Sequence, residues 1–216
     1  MNKRIILAAT VLLLGAGILA AQSAEVVSVS GQVQFNRGTG WVAAGVGDVV
    51  DRNTRISTGF GATAEIAILV GGQRQSVISV GQLTRLTIAE LAEQEGGNVQ
   101  TGLNLRVGRV GANVESSDGR PQQFEIRTAR STAAARGTVF TVTPVSVQVN
   151  EGSVTFIDAS GLSVTVPTGQ LSKLTDDGNA TDPEEELAAE FGGDDGGEGD
   201  GGEAVQTGSI RVIWRD

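Results

Sequence analysis

The chain has 216 residues and a formal net charge of −9, and it contains no histidine, cysteine or tyrosine. Those absences exclude Ser-His and Cys-His nucleophilic systems, imidazole and thiolate metal ligation, disulfide staples and tyrosine acid–base chemistry. The charge is uneven: residues 25–175 carry 12 acids and 12 bases, whereas 176–203 carry 12 acids and no base. The body therefore lacks the basic footprint that nucleic acid or an anionic membrane requires.

Lys3 and Arg4 precede an uncharged apolar run from Ile5 to Ala21, followed by the small residues of Ala21-Gln22-Ser23. This pattern predicts a secretory signal peptide over 1–23, cleaved after Ser23, and hence a periplasmic or extracellular protein. The alternative is an uncleaved anchor, because the run approaches the ~18 residues of a spanning helix. Only such an anchor would bring the chain to a membrane.

From Val26 to Leu174 apolar residues recur with period two, and 31 glycines punctuate the chain. Short strands separated by glycine turns follow from that pattern. Val27, Val29, Gly31, Val33 and Phe35 are echoed by Val147, Val149, Gly152, Val154 and Phe156, and more loosely by Leu103, Leu105, Val107, Gly108 and Val110. Thr63–Val70, Gln75–Val80 and Leu83–Ala89 read as further strands, and only Ala89–Gln94 invites a short helix. The expectation is one all-β domain over 25–175, built as a sandwich, a barrel or a solenoid-like stack.

Within Thr128–Phe156, Thr138, Phe140 and Val142 fall on one strand face and Val139 and Thr141 on the other. Gly137 precedes that strand where a missing Cβ is useful. Val147 and Val149, then Glu151-Gly152, then Val154 and Phe156 read as a hairpin with a tight turn. This segment, with Arg136-Gly137-Thr138-x-Phe140 at its centre, resembles the periplasmic FecR family. Gly31-Gln32-Val33, Trp41, Val46-Gly47-Asp48, Ile56-Ser57-Thr58-Gly59, Ala64-Glu65-Ile66 and Val164–Gln170 with its Gly169 turn fall in the family's order. The resemblance covers about 25–174. It departs from the family pattern at Ala129, where proline is usual, and at the short Val70–Gln73 turn. It implies an elongated, twisted, solenoid-like all-β domain. It also implies a motif of Thr128, Arg136, Gly137, Thr138, Phe140, Glu151, Gly152 and Gly169 that is structural or partner-binding.

After Thr175 the composition changes to Gly-Gly, Asp-Asp and Glu-Glu-Glu runs, so 176–206 reads as a flexible acidic linker that cannot offset its ordering entropy. Pro183–Phe191 allows a helical turn or two, with Leu187 and Phe191 at i and i+4. Residues 207–216 then read as a strand, with Ile210, Val212 and Trp214 on one face. An apolar strand on a leash is expected to dock on an edge of its own domain or to augment a sheet of another protein.

The remaining chemistry is thin. The only lysine beyond Lys3 is Lys173, and its neighbour Ser172 points to the opposite strand face, against a Ser-Lys pair. Acids such as Asp48, Asp51, Glu65, Glu115, Asp118, Glu125 and Glu151 sit in turns or on polar faces, without the aromatic platform a carboxylate-pair glycosidase needs. Gly59-Phe60-Gly61-Ala62-Thr63-Ala64 has the letters of a dinucleotide fingerprint but leads into a strand, not a helix. Asp176–Asp182 lacks EF-hand spacing, and Gly196-Gly197-Glu198-Gly199-Asp200 misses the calcium nonapeptide by one residue. No catalytic residue, cofactor or defined metal site is expected, only weak Ca²⁺ association at the acidic tail. Arg136 reads as a guanidinium bonded to turn carbonyls, or alternatively as a partner contact.

The resulting expectation is a non-enzymatic envelope binding or sensory module that mediates protein–protein contacts. Family members of this kind relay the state of an outer-membrane transporter to an inner-membrane anti-sigma system, but they carry a cytoplasmic region and a spanning helix ahead of the domain. The alternative is a structural envelope or surface protein with a cation-associating tail.

Overall fold

The computed structural model describes residues 23–70, 72–93, 99–115 and 122–185. It is all-β, with no helix among the described residues and two open nine-stranded sheets. The strands are β1 (Ser23–Ser30), β2 (Val33–Asn36), β3 (Trp41–Ala43), β4 (Val49–Val50), β5 (Arg55–Thr58) and β6 (Thr63–Val70). Then follow β7 (Gln73–Val80), β8 (Arg85–Glu93), β9 (Val99–Val107), β10 (Val110–Val114), β11 (Gln122–Arg127) and β12 (Ser131–Ala135). The last six are β13 (Val139–Thr143), β14 (Ser146–Glu151), β15 (Ser153–Asp158), β16 (Ser163–Pro167), β17 (Gln170–Lys173) and β18 (Glu184–Glu185). Strand β8 continues through Ala89, so the helix suggested by Ala89–Gln94 does not form up to Glu93.

The first sheet has the order β18-β17-β14-β13-β10-β7-β6-β1-β4 and the second β16-β15-β12-β11-β9-β8-β5-β2-β3. Both sheets thus advance from the N-terminal to the C-terminal end in step, and the chain switches sheets after one or two strands. At ~4.8 Å per strand the pairing direction extends about 38 Å. All strand pairings are antiparallel except β9 with β11, which is parallel in register Gln122↔Val99 to Arg127↔Asn104.

The inward faces meet in one core. Val33, Phe35, Ile56, Ile66, Ile78, Leu86, Ile88, Leu103, Leu105, Ile126, Phe140, Val147, Val154 and Phe156 are all buried in it. Alternation places them there, since every second residue of each strand points between the sheets. Phe124 of the second sheet meets Phe140 of the first edge-to-face, with ring centroids 6.1 Å apart at 84°. A smaller polar bridge also spans the layers: Ser76 Oγ donates to Gln122 Oε1 (3.2 Å) and Gln122 Nε2 to Gln75 Oε1 (2.5 Å).

One expectation is corrected. Glu151-Gly152 is not a hairpin turn, because β14 lies in the first sheet and β15 in the second. Strand β14 pairs with β13 and β17, while β15 pairs with β12 and β16. Val147, Val149, Val154 and Phe156 therefore face one another from opposite walls of the core, and Gly152 is a corner between layers. Gly31 (β1 to β2) and Gly108 (β9 to β10) are corners of the same kind, which explains why the three segments echo each other in sequence.

Pairing continues past Thr175. Leu174 bridges Ala180, and β18 pairs Glu184 with Leu171 and Glu185 with Gln170. Asp158 ties this end together: its Oδ1 accepts from Ser160 Oγ (2.6 Å), Ser160 N (2.9 Å) and Leu162 N (3.1 Å), and its Oδ2 from Ala180 N (3.1 Å). The Ser160 hydroxyl, followed by those backbone donors, holds the Asp158 carboxyl below the ordinary carboxylate range against the opposing effect of burial. A lowered native pKa means the unfolded chain binds the proton first as pH falls, so this stabilisation is complete above the unfolded value of ~3.9 and fades below it. Asp158→Asn is expected to lower the urea midpoint at pH 7, with the gap to the parent narrowing as pH falls below about 3.9. A gap that stays constant over that range would show that the carboxylate charge contributes nothing.

Candidate functional site

The two rims of the stack, where the chain turns or changes sheet, carry most of the irregular backbone. One rim holds residues 136–138, 151–153 and 167–169, and here the structure gathers most of the motif read from the sequence. Gly137 (φ +61) and Gly152 (φ +83) approach so closely that a Cβ on Gly152 would lie 2.8 Å from Gly137 O and 3.0 Å from Thr138 Oγ1. Only glycine satisfies both the left-handed backbone and that spacing. Thr138 is buried, and its Oγ1 lies 3.1 Å from both Arg136 O and Ser153 O. Its backbone exchanges two hydrogen bonds with Val114. Glu151 pairs with Val139, Gly169 N donates to Val149 O at 2.8 Å, and Thr168 Oγ1 donates to Gly152 O at 3.0 Å.

Two motif residues lie elsewhere. Phe140 belongs to the core. Thr128 sits at the opposite end of β12, where its Oγ1 accepts from Ser131 N (2.9 Å) and Arg130 N (3.2 Å) to close the β11–β12 hairpin. Arg136 is exposed, and no hydrogen bond or ion pair of its guanidinium is found among the described residues. It borders a shallow groove of about 660 Å³ on the outer face of the second sheet with Gln100, Gln123, Glu125 and Thr155. The expected bonding of Arg136 to turn carbonyls is not what the structure has. Its carbonyl, not its guanidinium, fixes the corner by accepting from Thr138 Oγ1.

The opposite rim turns on two threonines: Thr58, which the sequence reading placed in a family segment, and Thr84, which it did not single out. Thr58 Oγ1 donates to Gly81 O (2.6 Å) and accepts from Thr84 N (2.9 Å). Thr84 Oγ1 accepts from Arg109 N (3.0 Å) and lies 3.2 Å from the carbonyls of Gln82 and Arg109. Both threonines are buried. They serve this rim as Thr138 serves the other, and the available signal was a threonine beside a glycine corner at an inward-facing strand position.

The same rim displays apolar side chains outward. Phe60 (87% exposed) and Leu83 (55%) occupy the tips of adjacent corners, joined by Leu83 N donating to Gly59 O at 3.1 Å. Strand order continues the row through Val107, Val145 and Leu162, all exposed. Leu83 has φ +53, a left-handed conformation uncommon outside glycine.

Other predicted features fall into place or lie outside the description. Ser172 is buried, donating to Thr181 O at 2.7 Å, while Lys173 on the opposite face is exposed. Gly59–Ala64 is the β5–β6 corner and leads into a strand. Among the described residues no three Asp or Glu side chains are grouped to hold a metal ion. The signal segment, the acidic run beyond Glu185 and the strand residues Ile210, Val212 and Trp214 lie outside the described residues.

No curated protein matches the chain. Two crystal structures of a candidate anti-sigma factor from Parabacteroides distasonis ATCC 8503 align with TM-scores of 0.48 and 0.47, each at 17% identity over 63% of this chain. The aligned part spans 62% of each of those chains, less than two thirds of their length. The family model described as FecR protein matches residues 54–155, from the second sheet's β5 through the Gly152 corner. Residues 54–155 of the chain are thus similar to the FecR family, as the Arg-Gly-Thr corner and the segments around it suggested.

Proposed function

We propose that the protein is an exported, non-enzymatic module that binds a protein partner in the cell envelope and serves regulatory signalling there. The two-sheet stack acts as an elongated, solenoid-like scaffold, and the apolar rim is its binding edge. The FecR family match over residues 54–155 supports the regulatory role, and the single observation that carries the binding edge is the row from Phe60 to Leu162. Monomeric surfaces expose scattered apolar residues freely, but several large ones gathered along one rim point to an interaction site. Leu83 strengthens this reading, because a branched side chain held at positive φ costs about 1–2 kcal/mol that folding alone has no reason to retain.

The test is photo-crosslinking of the full chain in its native envelope. A benzophenone amino acid at position 60 or 83 is expected to give one discrete adduct, whereas the same group at Thr165, exposed on the outer face of the second sheet, gives none. Heterogeneous products from all three positions would refute the binding edge. Leu83→Gly should leave stability unchanged or raise it while weakening the adduct. Loss of both together would make Leu83 merely structural.

A further inference from the structure

The outer face of the second sheet is not uniform. Toward the C-terminal end its charges are balanced: Glu125 pairs with Arg127 at 2.7 Å. Toward the N-terminal end it carries a second groove of about 310 Å³, walled by Arg55, Arg85 and Arg106 with Trp41 at one side. These arginines come from neighbouring strands β5, β8 and β9, whose register sets Ser57 opposite Arg85 and Arg85 opposite Val107. All three are exposed, Trp41 is 45% exposed, and no acidic side chain lines the groove. Among the described residues Arg55 makes only a long contact to Asn36 Oδ1, at 3.4 Å. Three guanidiniums on one concave surface repel one another, and a multivalent anion relieves that repulsion while engaging their planar donor forks.

We infer that this groove is an acidic-peptide site and that its occupant is the chain's own segment 194–203. That segment holds Asp194, Asp195, Glu198, Asp200 and Glu203 with no base. Geometry permits the contact. The description ends at β18 on the C-terminal edge of the first sheet, and β9, β8 and β5 are the fifth, sixth and seventh strands from the C-terminal edge of the second. Four to six strand spacings plus one sheet thickness come to about 30–40 Å, while the 13 residues 186–198, which lead to the middle of the segment, extend to about 45 Å. Tethering supplies an effective concentration near millimolar, so a contact too weak to hold a free peptide still fills the site. The contact places a salt-sensitive plug on the second sheet, whatever the apolar rim binds, and a stronger acidic ligand displaces it.

The test uses the full chain. Because the sequence has no cysteine, Gly197→Cys offers a unique position for a nitroxide label, read by paramagnetic broadening of backbone amide signals. At low salt the amides of Ser57, Thr87 and Arg106 are expected to broaden selectively. The effect should vanish in 1 M NaCl, where the screening length falls to ~3 Å. It should also vanish in an Arg55→Gln, Arg85→Gln, Arg106→Gln variant. A second variant leaves the folded part untouched: Asp194→Asn, Asp195→Asn, Glu198→Gln, Asp200→Asn and Glu203→Gln together should abolish the broadening equally. Uniform broadening, broadening centred elsewhere, or broadening that survives either variant overturns the inference. So does broadening seen on an unlabelled ¹⁵N chain mixed with a nitroxide-labelled ¹⁴N chain, which would mean that a second copy supplies the acids.

Discussion

Gly108→Ala is expected to be the most damaging single-methyl change in the domain. Gly108 stands at φ +93, and a Cβ built there would lie 2.2 Å from Thr84 Oγ1 and 2.5 Å from Thr84 Cα. The second distance is to backbone, so no side-chain rotation relieves it. Left-handed backbone costs a side chain about 1–2 kcal/mol, and forced overpacking costs about 1–3 kcal/mol or more. Together they take about 2–5 kcal/mol from a stability that is typically about 5–15 kcal/mol. Two controls separate the contributions. Gly38 has φ +107 with nothing within 4 Å, so Gly38→Ala should show the backbone cost alone. Gly111 has no positive φ, and its nearest neighbours are at 3.6–3.9 Å, so alanine there should be nearly silent. Urea midpoints in the order Gly111→Ala, Gly38→Ala, Gly108→Ala from mildest to worst are expected. A Gly108→Ala midpoint level with Gly38→Ala would mean that the Thr84 corner yields freely.

The three glycine corners show what the sequence made legible and where it stopped. Period-two alternation fixed which residues face the core: Thr138, Phe140 and Val142 are buried and Val139 and Thr141 are not fully so. The echo among Gly31, Gly108 and Gly152 correctly marked equivalent positions. It did not reveal what the chain does there, because strand–glycine–strand reads alike for a hairpin and for a change of sheet. The difference lies in which strands pair, a non-local choice decided by packing. Arg136 was misread for a related reason: a motif read in one dimension does not say that the carbonyl, and not the side chain, makes the bond. The N-terminal basic groove was equally hidden. Arg55, Arg85 and Arg106 are far apart in the chain, and only the β5-β8-β9 order brings them to one surface. The apolar rim escaped notice because Phe60 sits in a turn, where alternation gives no direction, and Leu83 was read as the start of a strand that begins only at Arg85.

Replacing buried threonines by valine should sort their hydroxyls into those that bind and those that do not. Thr84→Val keeps the shape of the side chain, yet it strips the acceptor from Arg109 N and the contacts to the carbonyls of Gln82 and Arg109. Thr84 is fully buried and these bonds are partly so, which limits the water that can replace the hydroxyl, and a loss of about 1–3 kcal/mol is expected. Thr54 is as deeply buried, but its Oγ1 has no hydrogen-bond partner. Thr54→Val removes a desolvated hydroxyl, so it should be neutral or stabilising by up to about 1 kcal/mol. Size and burial change alike in both variants, so the difference between their urea midpoints isolates the hydrogen bonds. Equal losses at the two positions would assign the corner's stability to packing and remove the threonines' role in joining Gly81, Thr84 and Arg109. Opposite signs would establish that the rim which presents Phe60 and Leu83 is held in shape by buried hydroxyls, the rigidity a binding edge needs if it is to meet a partner without paying ordering entropy on contact.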